Sequence, residues 1–322
     1  MSLPFQPLPG LRNPHLQTLI GHWFPGRLRL PSGRRLIFQL PDQDQIALHI
    51  NHPPHWMKRR GLAVLIHGMG GSAQSRYMKR VMYLLIQQGC LGVRVDLRGC
   101  GHSLSISKRP AHGGCSQDVL AVLQFLHQSY PHLPIVLAGF SLGGNIVLKA
   151  MAESKAAGDL DVAAAVAVNA PIDMAKCSQL LEMPRNRIYE TFFMRDLWQL
   201  AFRRQVYFPD QPPPRWSDLQ HLRDFDEQYT APLNGFRNAG DYYAQASSYP
   251  LIKQIGRPTL LLTARDDPFI AVEPYEAVVG LPSVQVVIAP HGGHLGFLGH
   301  DGAGGIRWME QTVVRWLMGH LQ

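Results

Sequence analysis

A serine flanked by glycines is the first feature of the sequence that could perform chemistry. Residues 139–143 read Gly-Phe-Ser-Leu-Gly, with Ser141 at the centre, after a predicted strand and before a predicted helix. In this G-x-S-x-G pattern the chain turns so sharply that small residues are needed two positions before and after the serine. The turn would lift the Ser141 hydroxyl clear of the sheet, although the same glycines could serve only a tight connection.

A serine hydroxyl is a poor nucleophile at neutral pH, so it needs a nearby base and a third group that orients the base. In an α/β architecture with this turn, the acid and the histidine follow the serine in chain order. Asp267 follows a predicted strand at 259–263, and His294 follows the last predicted strand, at 284–288. We therefore predict Ser141 as nucleophile, His294 as base and Asp267 as the orienting acid.

Each of these partners has a competitor nearby in the sequence. Asp266 could be the acid instead, but Asp267 directly precedes a proline, which holds the chain extended and away from the strand end. His291 competes with His294, and the paired glycines before His294 suit a loop that reaches back to the serine. We favour Asp267 and His294, and we assign His291 a structural role and His300 a surface or helix-entry position.

Two backbone amides are predicted to form an oxyanion hole, which stabilises negative charge on the reacting carbonyl oxygen. One belongs to Leu142, at the start of the predicted helix, whose positive dipole end would point at the reacting centre. The other belongs to Met69, in the glycine-rich segment 67–71 after a buried strand. A simple glycine-rich turn is compatible with this, because we expect His67 itself to bond a buried carbonyl.

Short β-branched runs alternate with longer helix-period segments, which predicts a mostly parallel sheet with helices on both faces. The first two predicted strands read as a hairpin or as paired edge strands. The predicted strands lie at 36–40, 45–51, 62–66, 91–96, 134–138, 162–168, 259–263 and 284–288. The predicted helices lie at 76–88, 116–128, 145–154 and 306–318.

The pattern changes between about 171 and 255, where helix-period segments rich in aromatic residues surround a breaker of three prolines at 212–214. We predict one α/β core, residues 1–170 and 256–322, carrying a helical lid insertion at 171–255. The lid would favour an apolar acyl group, although most of its aromatic residues are expected to form its own core.

Three motifs together give the chain a resemblance to a known family. They read Asn-Pro-His-Leu-Gln-Thr at 13–18, Gly-Phe-Ser-Leu-Gly-Gly-Asn at 139–145 and Gly-Gly-His-Leu-Gly-Phe at 292–297. With them the chain resembles the α/β-hydrolases and, more narrowly, the YheT-like hydrolases, the fourth family of the AB hydrolase superfamily. The resemblance covers nearly the whole chain and implies a Ser-Asp-His hydrolase with esterase or lipase-like activity on carboxylic esters. Residues 96–103 resemble the superfamily's structural D-x-R-G-x-G-x-S loop.

The expected reaction is ester cleavage through an acyl-enzyme that water then releases. We expect no cofactor and no metal, because the sequence has no H-E-x-x-H and its 15 histidines are scattered. An acyltransferase is the alternative, since only acceptor access and the exclusion of water separate it from a hydrolase. A second alternative is a non-catalytic binding protein that retains the fold. The intact order of serine, acid and histidine argues against it.

Composition excludes other classes of protein. The 322 residues, 46% of them hydrophobic, suffice for a large core, and no apolar run approaches the roughly 20 residues of a membrane-spanning helix. Lys and Arg number 31 against 23 acidic residues, a net charge of +8. The basic residues are dispersed, so we expect no nucleic acid partner and keep weak association with a membrane surface as a minor alternative. The expected partner is a small apolar ester, and the oligomeric state is left open.

Four cysteines lie far apart without a C-x-x-C pair, which argues against a structural zinc site or a disulfide framework. Free thiols suit a reducing compartment. The first 23 residues contain prolines and polar residues where a secretory signal would be continuous and apolar. We therefore expect a cytoplasmic protein.

Overall fold

An eight-stranded sheet forms the centre of the computed structural model, which describes residues 4–24, 30–54, 58–154, 160 and 162–321. The strands are β1 (Arg34–Gln39), β2 (Gln45–Asn51), β3 (Gly61–Ile66), β4 (Cys90–Asp96), β5 (Ile135–Phe140), β6 (Val162–Val168), β7 (Thr259–Ala264) and β8 (Val284–Ala289). Their order across the sheet is β1-β2-β4-β3-β5-β6-β7-β8. The first two strands form the predicted antiparallel hairpin. Strand β2 also runs antiparallel to β4, and the other neighbouring pairs are parallel.

Helices follow the strands of the parallel part, as the alternating pattern predicts. Those of the core are α1 (Pro14–Trp23), α2 (Arg76–Gln87), α3 (Ser116–Ser129), α4 (Leu142–Glu153), α10 (Glu273–Glu276) and α11 (Trp308–Met318). Helix α4 starts three residues earlier than predicted, and α11 starts two residues later. The first helix was not predicted: Asn13 caps it by accepting hydrogen bonds from two backbone amides, and Pro14 occupies its first turn.

Two hydrophobic clusters cover the two faces of the sheet, as the alternation along β3 shows. Leu62, Val64 and Ile66 pack into one cluster, together with apolar residues of α3 and α4. Ala63 and Leu65 pack into the other, together with residues of α2 and α11. Because side chains of a strand point alternately to opposite faces, a strand buried on both sides needs an unbroken apolar run. The predicted α/β-hydrolase fold, with helices on both faces of a mostly parallel sheet, is therefore confirmed.

Residues 171–255, all of them described, lie between β6 and β7 and contain helical elements and no strand. The helices are α5 (Met174–Leu181), α6 (Arg187–Arg204), α7 (Leu222–Phe225), α8 (Ala231–Leu233) and α9 (Ala239–Ala246). Shorter 3-10 and π turns connect them, at Pro184–Asn186, Trp216–Asp218, Asp226–Thr230 and Tyr249–Gln254.

The aromatic residues of this insertion divide into two groups. Four that follow residue 217 are buried and pack in pairs: Phe225 with Tyr229, and Tyr242 with Tyr243. Four that precede residue 217 are exposed instead: Phe192, Phe202, Tyr207 and Trp216. Most of the insertion's aromatic residues are therefore at least partly buried, and these four are the exceptions.

Two further observations concern the described residues as a whole. None of their helices is both long and apolar enough to cross a membrane. The four cysteines, Cys90, Cys100, Cys115 and Cys177, are buried free thiols.

Candidate active site

Ser141 occupies the turn between β5 and α4 with an unusual backbone conformation. Its φ is 52° and its ψ is −125°, a region that residues with side chains rarely adopt. The flanking glycines are needed for close approach: a Cβ on Gly139 would lie 2.2 Å from the carbonyl oxygen of Gly143. A Cβ on Gly143 would lie 2.4 Å from the carbonyl oxygen of His67. The glycines therefore stand where the sharp turn requires them.

The three predicted side chains form one hydrogen-bonded chain. His294 Nε2 lies 2.9 Å from the Ser141 hydroxyl, and His294 Nδ1 lies 2.8 Å from Asp267 Oδ2. A carboxylate can only accept, so Nδ1 carries the proton that it donates to Asp267. Nε2 is then free to accept the proton of the serine. The arrangement has the geometry of a nucleophile, a base and an orienting acid.

The Asp267 carboxylate is buried and fully hydrogen-bonded. Its side chain is 0% exposed. Oδ1 accepts from the backbone amides of Phe269 and Ile270, each at 3.2 Å. Oδ2 accepts from the Asn169 amide group at 2.6 Å, in addition to His294. These bonds fix the carboxylate and offset the cost of burying its charge.

Asn169 is a contributor that the sequence reasoning missed. It directly follows β6 with a φ of 45°, a left-handed conformation that asparagine adopts more readily than most residues. Besides Asp267, its amide group donates to the carbonyl oxygen of Gly293 at 3.3 Å. Asn169 therefore links the acid to the histidine loop. The available signal was its place at the carboxyl end of a strand beside the strand that carries Ser141.

The competing acid and histidine pair with each other. His291 Nδ1 lies 3.3 Å from Asp266 Oδ2, and Asp266 Oδ1 accepts from the Gly293 amide at 2.9 Å. The His291 side chain is 39% exposed, and burial raises the pKa of Asp266. This pair shapes the turn that precedes His294. His300 is exposed.

Helix α1 holds the histidine loop in place, a contribution that the sequence reasoning also missed. The Thr18 hydroxyl accepts a hydrogen bond from the His294 amide at 2.9 Å. The Gln17 side chain accepts from the Leu298 amide at 2.6 Å and donates to the Leu298 carbonyl at 3.2 Å. The signal lay in the Asn-Pro-His-Leu-Gln-Thr motif, which supplies both the cap of the helix and these two side chains.

The two predicted oxyanion amides lie beside the serine turn. Leu142 is the first residue of α4, so its amide has no partner one turn earlier in the helix. The loop of Met69 comes close to the serine, since a Cβ on Gly68 would lie 3.0 Å from Ser141 Cβ. The Gly68 amide donates to the Tyr77 hydroxyl at 2.9 Å. For the Met69 amide, no acceptor is found among the residues that the structure describes.

His67 has the structural task expected of it. Its Nδ1 lies 2.7 Å from the Gly68 carbonyl oxygen, and its Nε2 accepts from the Leu97 amide at 3.1 Å. Since Nε2 accepts, Nδ1 is the protonated nitrogen and donates. Complete burial lowers the pKa of His67, so the ring stays neutral and fixes the loop before Met69.

A cleft opens beside Ser141. The core contributes Ser141, Met69 and Leu142 to its wall, and most of the other lining side chains are apolar. The insertion contributes Met174, Leu181, Phe193, Leu222 and Tyr243. One acid, Asp226, also lines it, and burial raises the pKa of Asp226 to about 6. The cleft therefore suits an apolar group attached to the reacting carbonyl.

One group of described residues has the composition of a metal site, His49, Asp96 and His102. Asp96 already accepts from the backbone amides of Ala73 at 2.6 Å and His102 at 2.9 Å. Its Oδ2 also lies 2.8 Å from His49 Nε2. The Asp96 carboxylate thus links the loop that contains Ala73 to the loop that contains His102. This agrees with the structural role that the resemblance implies for residues 96–103.

Comparison with known sequences places this site in a family context. The family described as "Alpha/beta hydrolase family" matches residues 63–303. "Putative esterase YheT" of Escherichia coli (strain K12) is 32% identical over 326 residues, which cover 100% of this chain and 95% of that protein. "Phospholipase ABHD3" of Mus musculus is 28% identical over 74% of this chain and 59% of its own length. The chain therefore spans nearly all of the bacterial relative and about three-fifths of the mouse one.

Comparison with solved structures supports the same fold. The Pyrococcus furiosus esterase Pf2001 superposes with a TM-score of 0.59, over 92% of this chain and 98% of that one. The two sequences are 16% identical. At that identity the likeness is one of fold alone.

Proposed function

This chain belongs to the α/β-hydrolase family as a YheT-like member, and on that premise we propose that it is a serine hydrolase of carboxylic esters. The observation that carries the proposal is the hydrogen-bonded chain from Ser141 through His294 to Asp267. The names of the relatives, an esterase and a phospholipase, agree with cleavage of an ester bond.

Proton transfer begins the proposed reaction. The Ser141 oxygen attacks the ester carbonyl carbon while His294 Nε2 accepts the hydroxyl proton. The resulting imidazolium is stabilised by the buried Asp267 carboxylate. His294 then returns the proton to the leaving alcohol, and an acyl-serine forms. Water, deprotonated by the same imidazole, attacks the acyl-serine; the bond to the Ser141 oxygen breaks, the imidazolium returns its proton to that oxygen, and the carboxylic acid leaves.

The developing oxyanion would be stabilised by the Leu142 and Met69 amides. Such donors are fixed before the reaction, so they need no reorganisation when charge develops. The N-terminus of α4 adds its positive dipole end at the same place. In this proposal, the hydrogen bonds of His67 and Tyr77 to Gly68 support the loop that carries the Met69 amide.

The substrate class follows from the wall of the cleft. Apolar side chains of the insertion face Ser141, so the ester we propose carries an apolar acyl group. The insertion acts as a lid in this proposal, because its helices close one side of the cleft over the serine.

Hydrolysis of short p-nitrophenyl esters tests the mechanism. We expect Ser141→Ala to lower kcat by about a thousandfold or more, because the nucleophile is lost. Ser178→Ala is the matched control, since Ser178 lines the same cleft and bonds Tyr243 and Glu182 instead of a histidine. The control should retain activity within about threefold. Equal rates for wild type and Ser141→Ala would overturn the proposal.

A series of acyl chain lengths tests the substrate class. We expect kcat/KM to rise as methylenes are added until the cleft is filled, by up to about threefold for each buried methylene. Replacing Leu181 with Ser should flatten this rise while it leaves the acetyl ester nearly unchanged. Indifference of the wild type to chain length would contradict an apolar acyl pocket.

A further inference from the structure

Helix α1 presents two stripes of side chains: an inner stripe that packs against the histidine loop and an outer stripe that is exposed. Its inner positions, 14, 17, 18 and 21, recur at helical spacing and face the histidine loop. Gly21 is part of this contact, since a Cβ there would lie 2.8 Å from Gly296 Cα. Its outer positions follow the same spacing but are exposed and apolar: Leu16, Leu19, Ile20 and Trp23. Water-facing stripes of this kind are costly unless a partner covers them.

Helix α6 of the insertion extends the apolar surface. It lies against α1 through two ring contacts: His15 stacks on Tyr189 with ring centroids 5.6 Å apart, and His22 meets Phe192 edge-on at 6.2 Å. Ile188 and Phe192, one turn apart, are exposed next to this contact. We call the six residues of the two stripes the α1–α6 face: Leu16, Leu19, Ile20, Trp23, Ile188 and Phe192.

Exposed apolar residues are concentrated in this part of the molecule. Twelve of the fifteen large hydrophobic residues found exposed lie within 16–24 and 183–216. Trp23 is 64% exposed and Ile188 is 80% exposed. Of the remaining three, Ile37 and Val279 lie in other parts of the chain, and Ile306 precedes Arg307, which bonds the carbonyl oxygens of Gly21 and Phe24. The concentration distinguishes the face from the single apolar residues that every protein surface carries.

The exposed charges around the face are almost all positive. Among the described residues 4–24 and 183–210, the exposed acid is Asp210 and Asp196 is partly exposed near His22, whereas the exposed Lys or Arg residues are Arg12, Arg185, Arg187, Arg195 and Arg203. A surface that combines apolar side chains with arginines complements the phosphate groups and acyl chains of an anionic bilayer.

We propose that the α1–α6 face docks on an anionic lipid surface. Leu19, Trp23 and Ile188 insert among the acyl chains near the headgroups, and the surrounding arginines lie at the phosphates. The opposite side of α1 holds His294 through Thr18, so docking places the catalytic loop one helix away from the bilayer. An ester dissolved in the lipid then has a short path to the cleft, a step that rests on the proposed function.

Co-sedimentation of the full chain with vesicles tests the docking directly. The vesicles contain equal parts of phosphatidylglycerol and phosphatidylcholine. We expect the wild type to sediment with them, and Leu19→Ser/Trp23→Ser to lower the partition constant at least about tenfold. Ile37→Ser/Val279→Ser is the matched control, because it removes two exposed apolar residues elsewhere. The control should bind within about twofold of the wild type.

The role of the arginines is tested by varying the charge of the vesicles, the salt concentration and the charge of the side chains themselves. Binding should weaken on pure phosphatidylcholine vesicles and at high salt. Arg195→Gln/Arg203→Gln should lower binding to the anionic vesicles by about fivefold or more, with little effect on the neutral ones. Equal binding of all these variants, or no binding of the wild type, would overturn the proposal. It would also be overturned if light scattering showed a dimer that Leu19→Ser/Trp23→Ser converts to monomers.

Paired ester assays separate docking from catalysis. At limiting vesicle concentration, Leu19→Ser/Trp23→Ser should hydrolyse p-nitrophenyl palmitate held in the vesicles about tenfold more slowly than wild type. Its rate on water-soluble p-nitrophenyl acetate should be unchanged. Equal loss on both esters would contradict the docking role. Absence of acetate hydrolysis in the wild type would instead contradict the proposed function and leave the sedimentation result standing.

Discussion

Two acid–histidine pairs lie side by side at the end of the sheet, built from neighbouring residues of the same two loops. Asp267 pairs with His294 at 2.8 Å, and Asp266 pairs with His291 at 3.3 Å. The first pair is buried, with side-chain exposures of 0% and 8%, and its imidazole reaches Ser141. The second pair is partly exposed. Its further hydrogen bond runs from the Gly293 backbone amide to Asp266, whereas that of the first pair joins the histidine to a hydroxyl.

The difference teaches that residue type and local spacing do not decide which pair can act. An imidazole becomes a base for catalysis when one nitrogen is fixed by a carboxylate and the other faces a nucleophile. Both histidines follow the last strand. They differ in the direction in which their side chains leave the turn, and therefore in the groups that they bond. The second pair still matters, since it shapes the loop from which His294 extends.

Replacing the aspartate of each pair with asparagine should give the largest difference in kcat between two matched variants. Asp267→Asn should lower kcat on a p-nitrophenyl ester by about a thousandfold or more, because the amide cannot stabilise the imidazolium and favours the wrong tautomer. Asp266→Asn should change kcat by less than about tenfold, since it acts only through the turn. Steady-state kinetics of the two variants checks this. Similar losses in both would erase the distinction between the pairs.

Removing the Asn169 side chain should have the next largest effect. Asn169→Gly deletes the 2.6 Å bond to Asp267 while it tolerates the positive φ at this position. We expect kcat to fall by about tenfold to thirtyfold, because Asp267 loses a donor and the link to the histidine loop. KM should change little. If kcat stayed at the wild-type value, the two backbone amides alone would suffice to position Asp267.

Removing the Thr18 hydroxyl tests how α1 supports the first pair. Thr18→Val leaves the His294 amide without its acceptor, and we expect kcat to fall by about threefold to tenfold. Thr18→Ser keeps the hydroxyl and should restore most of the rate. A loss in Thr18→Ser with little loss in Thr18→Val would contradict the role of the hydrogen bond and point to packing of the methyl group instead.

The pH dependence of stability should reveal the second pair. Burial raises the pKa of Asp266 above its ordinary value, so the folded chain binds this proton more readily than the unfolded chain does. Ionisation of the Asp266 carboxyl therefore lowers the free energy of unfolding as pH rises through the pKa that this group has in the folded chain. Asp266→Asn keeps an oxygen for the Gly293 amide and removes that charge. Relative to wild type, it should gain stability between acid and neutral pH, measured by urea unfolding.

The strands could be predicted because a buried parallel strand leaves a continuous apolar run such as 62–66. The start of α4 was harder to predict, since Gly143 and Gly144 disfavour a helix by propensity and are present for close packing instead. Helix α1 escaped prediction because its outer apolar positions are largely exposed rather than part of a core, and its inner positions include polar residues. Tertiary contacts, not local pattern, define both of these segments.

The arrangement of the site could be predicted only as far as chain order allows. The turn at Ser141 and the positions of Asp267 and His294 after two successive strands follow from the topology of the sheet. Asn169 stands at a strand end and Thr18 within the first motif, but neither position says which group the side chain bonds, so only coordinates place them on the acid and the histidine. The same holds for the pairing of Asp266 with His291.

Labelling with a fluorophosphonate tests the central claim most directly, because this reagent bonds to a serine whose hydroxyl is activated by a neighbouring base. The modified peptide is mapped by mass spectrometry. We predict a single adduct on Ser141, formed slowly or not at all in His294→Ala. Modification of a different residue, or labelling of Ser141 at the same rate without His294, would contradict the account.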